Sequence, residues 1–157
     1  KVDLRPTAQR QMTFPSSPRI RVKVDPYLCM NSGFCGTRNA GIGQLARRTD
    51  DTETRSLVIA MIERCPAGAL TYSFGSDEPD VEPDLPEQIA VTVEITDEGP
   101  IEGPLWVTGG IPVVLSDGQE LERRNRVTLC SCGQSQHKPL CDGTHRRKPT
   151  YVKDEGK

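Results

Sequence analysis

The sequence predicts an α+β protein made of two small units, and three observations point to it. One helical apolar pattern lies between two short strand patterns in the first half. Short alternating strands separated by glycine turns fill the second. An acidic, proline-rich stretch divides them. At 157 residues the chain could form one domain, yet its 34% hydrophobic and 4% aromatic content are low for burying a sizeable core. Small domains commonly offset a thin core with metals or cross-links.

Taken in order, residues 1–19 are polar, carry Pro6, Pro15 and Pro18, and read as an extended arm. Ile20–Asp25 alternates as a strand, and Pro26 turns the chain into a loop holding Cys29 and Cys35. Gly41-Ile-Gly43-Gln-Leu-Ala46 resembles the start of a dinucleotide loop, but no apolar strand precedes it. It reads instead as a flexible loop running into a short helix. Asp50–Arg64 is an amphipathic helix with an acidic start; Leu57, Ile59, Ala60, Met61 and Ile62 supply its apolar face. Ala69–Phe74 is a second strand, placed to pair antiparallel with the first. Residues 20–75 thus form a β–α–β unit.

Residues 76–88 are a linker in which Pro79, Pro83 and Pro86 stand among acids with no base. It either spaces the units or packs its acids against Arg123, Arg124 and Arg126. Residues 89–157 form a mostly β unit with strands at Ile89–Ile95, Leu105–Thr108, Ile111–Leu115 and Arg126–Leu129. Turns fall at Gly109-Gly110 and Asp117-Gly118. Trp106, in an alternating apolar segment, reads as core.

From the end of this unit emerges Cys130-Ser-Cys132, followed by Cys141-Asp142-Gly143-Thr144-His145, a C-x-C-x8-C-x3-H spacing. Three thiols and an imidazole are soft-to-borderline ligands, so the set points to a metal. Cys130 and Cys132 share one side of an extended segment. Cys141 and His145 share one face if Asp142 caps a helix beginning at Gly143. Gly143 allows close backbone approach, and Pro139 stiffens the path to Cys141. The alternative is a structural Cys3His zinc site, though zinc knuckles favour C-x2-4-C. His137, between the ligand pairs, reads as a solvated side chain. The run Arg146-Arg147-Lys148 reads as a solvated face, or as charge that offsets a cluster and steers an acidic partner.

These residues resemble the CDGSH iron–sulfur (NEET-like) family, whose pattern C-x-C-x2-[S/T]-x3-P-x-C-D-G-[S/T/A]-H they match at each defined position. The resemblance implies a [2Fe–2S] cluster, with Cys130 and Cys132 on the inner iron and Cys141 and His145 on the outer. It covers about the last third of the chain and includes a cluster-binding loop and short helix.

Upstream, Cys29-Met-Asn31-Ser32-Gly33-Phe-Cys35 and Cys65-Pro-Ala-Gly-Ala-Leu70 give C-x5-C with a distant Cys-Pro. Over about residues 20–75 this resembles the divergent mono-cluster ferredoxins. The resemblance implies a ferredoxin-like β–α–β domain with a [3Fe–4S] or [4Fe–4S] cluster on Cys29, Cys35 and Cys65. Ser32 stands where an ordinary ferredoxin has a further cysteine, and Asn31 replaces a histidine common in the group. Independently of family, Ser32, Gly33, Gly36 and Gly41 can offer amides to a cluster, and Pro66 ends the helix that carries Cys65. Buried free cysteines, a disulfide or zinc are the alternatives; three cysteines suit a disulfide poorly.

Net charge is −2, which argues against nucleic acid. No apolar run has the length of a membrane span and no signal-peptide core is visible. The expectation is a cytoplasmic, bacterial protein, with Lys1 in place of Met leaving room for a removed leader. No nucleophile elbow, paired-carboxylate motif or phosphate loop suggests an enzyme. The expected activity is electron transfer with proton coupling at His145. Cluster transfer, storage or redox–pH sensing is the alternative, and a metal-stapled adaptor the third reading. Expected partners are redox proteins or apo-acceptors of clusters, and the protein is a monomer or homodimer.

Overall fold

In the computed structural model, which describes residues 2–153, the N-terminal arm does more than extend. It forms a single helical turn, α1 (Thr7–Arg10), and a short strand, β1 (Met12–Phe14). Pro6 and Pro15 flank these elements, where no ladder donor is lost. β1 pairs antiparallel with β2 (Arg21–Val24), setting Met12 against Val24 and Phe14 against Val22.

After β2, Asp25 caps a 3-10 turn over Pro26–Leu28 by accepting from the Tyr27 amide, and Cys29 follows directly. A short helix, α2 (Ile42–Ala46), leads to the long one, α3 (Thr52–Glu63). Asp51 starts α3: its Oδ2 accepts from Thr54 N at 2.8 Å and from Thr54 Oγ1 at 2.7 Å. The buried stripe is Val58, Met61 and Ile62, continued by Cys65 one turn on. Leu57, expected on that face, is exposed. β3 (Leu70–Ser73) then pairs antiparallel with β2, completing the order β1-β2-β3.

The second sheet has the order β4-β5-β6, also antiparallel, from β4 (Gln88–Thr96), β5 (Gly99–Thr108) and β6 (Arg126–Leu129). β5 begins earlier than the sequence suggests, because Gly103 and Pro104 fall in a bulge. The register jumps from Val91↔Leu105 to Val93↔Glu102, so two residues of β5 face Thr92. The Thr92 hydroxyl donates to Pro104 O at 2.6 Å, and a proline is tolerated there. Ile111–Leu115, expected as a strand, forms none. Val113 and Leu115 close a small loop onto Leu121 and Gln119, and Pro112 has no N–H to offer a sheet. With mixed helix and strand and two antiparallel three-stranded sheets, the class is α+β.

The two sheets share one core. Val22, Leu28, Ile62 and Tyr72 belong to the same cluster of buried residues as Val127 and Leu140. Arg126, at 2% exposure, reaches from β6 to the end of α3. Its Nη1 donates to Ile62 O at 3.0 Å, which also accepts from the Cys65 amide, and to Glu63 O at 2.8 Å, a carbonyl of the helix end. Trp106 is half-buried, not sealed in a core, because its Nε1 donates to Pro66 O at 3.0 Å. The acidic segment between the sheets lies along the molecule. Asp80 pairs with Lys23, Glu82 lies 3.5 Å from Arg126 Nε, and Pro83 O accepts from Asn125 Nδ2 at 2.8 Å.

Candidate functional site

The C-terminal motif is held by an extension of β6. Cys130 N donates to Pro139 O at 2.8 Å and Cys141 N to Thr128 O at 3.0 Å, so the two ligand-bearing segments run side by side. The loop between them is closed by Ser135, whose hydroxyl donates to Leu140 O at 2.6 Å and accepts from His137 N at 3.0 Å. His137 is half-buried and not a free, solvated side chain. Its ring stacks on Tyr27 with centroids 4.8 Å apart.

Within this frame the ligand candidates form two pairs. Cys130 Sγ and Cys132 Sγ lie 3.8 Å apart, and Cys141 Sγ lies 3.6 Å from His145 Nδ1. The turn carrying His145 is shorter than a helix: Thr144–Arg146 makes one 3-10 turn. Asp142 caps it, Oδ1 accepting from Thr144 N at 3.1 Å and from Thr144 Oγ1 at 2.7 Å. Gly143 stands in the left-handed region at φ +86°, and a Cβ there would lie 2.6 Å from Met30 O. Only glycine fits both demands. Its N–H points at Cys141 Sγ, 3.4 Å away.

The two halves of this site differ in charge preference. Burial opposes the Cys130 thiolate, but the Ser135 amide, the Cys132 thiol and the Gly133 and Gln134 amides outweigh it and hold its pKa below the ordinary thiol value. Cys141 is pushed up to about 11, chiefly by burial, against the pull of the Gly143 amide. A thiol in that environment ionises when a cation binds it. His145 is 3% exposed, and its Nε2 hydrogen-bonds Glu94 Oε1 at 2.9 Å, leaving Nδ1 on the side of Cys141. Arg146 in turn grips Glu94 with both ends of its guanidinium, Nε to Oε2 and Nη2 to Oε1, each at 2.8 Å. A carboxylate behind a ligating imidazole fixes its tautomer and raises its basicity.

The upstream cysteines also come together. Cys29, Cys35 and Cys65 line one cavity of about 280 Å³, whose wall includes Ser32 and Gly33. Burial, then the nearby Cys29 sulfur and, more weakly, Cys65, push the Cys35 thiol up. Asn31 adopts φ +55° and turns its N–H onto Cys29 Sγ at 3.4 Å. Pro66 follows Cys65 immediately after the end of α3.

Both donor sets fit iron–sulfur clusters. Among the described residues no three His, Cys, Asp or Glu side chains gather as one metal ion requires. The candidate donors instead stand in pairs or around a roomy, largely apolar hollow, with amides directed at sulfur, an arrangement that suits a polynuclear anionic cluster. Sequence reasoning did not find Glu94 or the reach of Arg146, which it read as a solvated face. No local signal marks Glu94, which belongs to a strand remote from the motif.

Residues 102–146 match the family model described as an iron-binding zinc finger of CDGSH type, and residues 16–74 match that of the divergent 4Fe-4S mono-cluster. No curated protein and no solved structure matches the chain. Two iron-binding domain types therefore follow one another along this chain, in the order its cysteine spacings imply. Among the described residues no helix is long and apolar enough to cross a membrane.

Proposed function

We propose that this iron–sulfur protein is an electron carrier and not a substrate-processing enzyme. A [2Fe–2S] cluster is held by Cys130, Cys132, Cys141 and His145. A [3Fe–4S] or [4Fe–4S] cluster is held by Cys29, Cys35 and Cys65 in a ferredoxin-like N-terminal unit. When bound, the clusters supply one-electron redox chemistry; the chain supplies ligands, burial and a place for compensating charge.

The observation that carries this reading is the clamp on His145. A labile, delivery-type ligand would be accessible and loosely held. Here the ring is buried, Nδ1 faces Cys141, and Nε2 is tied to a carboxylate that Arg146 itself restrains. That arrangement fixes the ring's orientation and shields it from solvent, so it favours retention over cluster transfer. The same contact supports proton coupling at His145 as part of this reading. The proton that offsets added negative charge is shared along the Nε2–Glu94 contact, not carried on a free nitrogen.

The test is anaerobic purification with iron, sulfide and zinc analysis and EPR of the as-isolated and dithionite-reduced protein. Two cluster signals, one of them lost in Cys29→Ser, support the reading and fix the nuclearity upstream. A colourless protein holding zinc sinks it. Movement of the cluster absorbance onto an added apo-ferredoxin at near-neutral pH would favour delivery instead.

A further inference from the structure

Among the contacts between the loops that carry the two donor sets, one chain of hydrogen bonds connects sulfur to sulfur. Asn31 N donates to Cys29 Sγ at 3.4 Å. The same residue's Nδ2 donates to Asp142 O at 3.1 Å. That carbonyl belongs to the peptide unit whose N–H, on Gly143, donates to Cys141 Sγ at 3.4 Å. One asparagine and one peptide group therefore bridge a thiol of each site through three hydrogen bonds. Arg146 closes the same seam, its Nη1 donating to Met30 O at 2.7 Å and Asn31 O at 2.9 Å. The left-handed conformation of Asn31 aims both its amide and its side chain, and asparagine is one of the few residues that tolerates it. Docking of the two halves does not need this bridge. Trp106 on Pro66 and Arg126 on the end of α3 already join them through other residues.

We infer that Asn31 is the positioning residue through which the two centres exchange an electron, with Arg146 holding the junction closed. The inference rests on the electron-carrier reading. One electron leaves the reduced centre at Cys29, Cys35 and Cys65, which is oxidised by one. The oxidised centre at Cys130, Cys132, Cys141 and His145 is reduced by one. The His145 centre is taken as the acceptor, because an imidazole in place of a thiolate raises its potential above that of an all-thiolate [2Fe–2S] cluster. No bond is made or broken and no proton crosses the junction. The first electron comes from an external one-electron donor such as a photoreduced flavin.

The experiment uses the full chain with both clusters loaded, reduced anaerobically by a flash with a flavin-type photoreductant and followed by absorbance and freeze-quench EPR. Expected in the native protein is a phase independent of protein concentration, in which one centre reoxidises as the other is reduced. Asn31→Gly keeps the left-handed backbone and its N–H but removes the side chain. With iron and sulfide content equal to native and both potentials measured alongside, that phase should slow by more than the change in potential difference accounts for. An unchanged phase in Asn31→Gly overturns the inference. Absence of the phase in the native protein overturns the relay reading beneath it. If Asn31→Gly does not load, Arg146→Gln is read by hydrogen exchange of peptides covering 29–33 and 141–146. Exchange should rise up to about tenfold in both loops together, as loss of a bridging hydrogen bond predicts. A rise confined to 141–146 overturns the junction.

Discussion

Glu94 reaches from β4 to His145 and Arg146 at once, and its charge decides how firmly the imidazole is held. Burial works against its ionisation, but Arg146 and His145 outweigh burial and hold its pKa below the ordinary glutamate value. The sign follows. Support from a carboxylate with a depressed pKa is fully present above the ordinary glutamate range and is lost as pH falls through the depressed value. Glu94→Gln keeps an acceptor but removes the charge and half of the grip by Arg146. Cluster retention should fall by about 10- to 100-fold, the usual cost of losing a partner behind a metal-ligating histidine. The visible band should then bleach at higher pH in the variant than in the native protein, and coincident bleaching curves would remove Glu94 from the site. His145→Cys acts in the other direction on the electron. A fourth thiolate adds negative charge, so the midpoint potential should fall and its pH dependence flatten, as protein-film voltammetry would read. An unchanged potential would show that His145 is not a ligand.

At the scale of elements, the end of α3 matters most, because Cys65 hangs from it. Arg126 holds the last carbonyls of this helix from another sheet, buried and without slack. Arg126→Leu removes the guanidinium from both carbonyls and leaves the Glu63 carbonyl without its partner, while Ile62 O keeps the Cys65 amide, at a cost of about 3 kcal/mol. In a chain of this size that is a fall in Tm of roughly 6 to 12 °C, measurable by calorimetry of the loaded protein. A shift below the lower bound would mean that water replaces the guanidinium. α3, β2, β3, β4 and β6 were readable in the sequence because their signals are local: an Asp cap, apolar spacing, alternation. The Cys29/Cys35, Cys130/Cys132 and Cys141/His145 spacings are local in the same sense, whereas Cys65 is set beside Cys29 and Cys35 only by the fold. The early start of β5 was hidden by Pro104, whose bulge depends on Thr92 across the sheet. The contacts that finish the sites were not readable, since Glu94 lies 51 residues from His145 and Asn31 lies 111 from Asp142. No pattern within one segment encodes a meeting of that kind.

For the whole molecule, the question is whether two domain types behave as two bodies. A thin apolar core argues for dependence on metal, and its continuity across both halves argues that the dependence is shared. The N-terminal arm strengthens the joint. Asp25, 1% exposed, accepts from Arg10 Nη2 at 2.8 Å and from Thr7 Oγ1 at 2.8 Å, while Thr7 N donates to Glu122 of the second half at 2.7 Å. Burial opposes the Asp25 charge, but Arg10 and Thr7 hold its pKa below the usual carboxylate value. Its contribution is therefore complete above that usual value and drains away as pH falls through the lowered one. Heating the loaded protein near neutrality should give one calorimetric transition. Chelation that strips either centre should lower the melting of both halves, because each buries surface against the other. In acid, Asp25→Asn and the native protein should converge in Tm, since protonation removes the same charge. Two well-separated transitions, with only one moved by Cys29→Ser, would show that the halves melt independently and that their shared core contributes little.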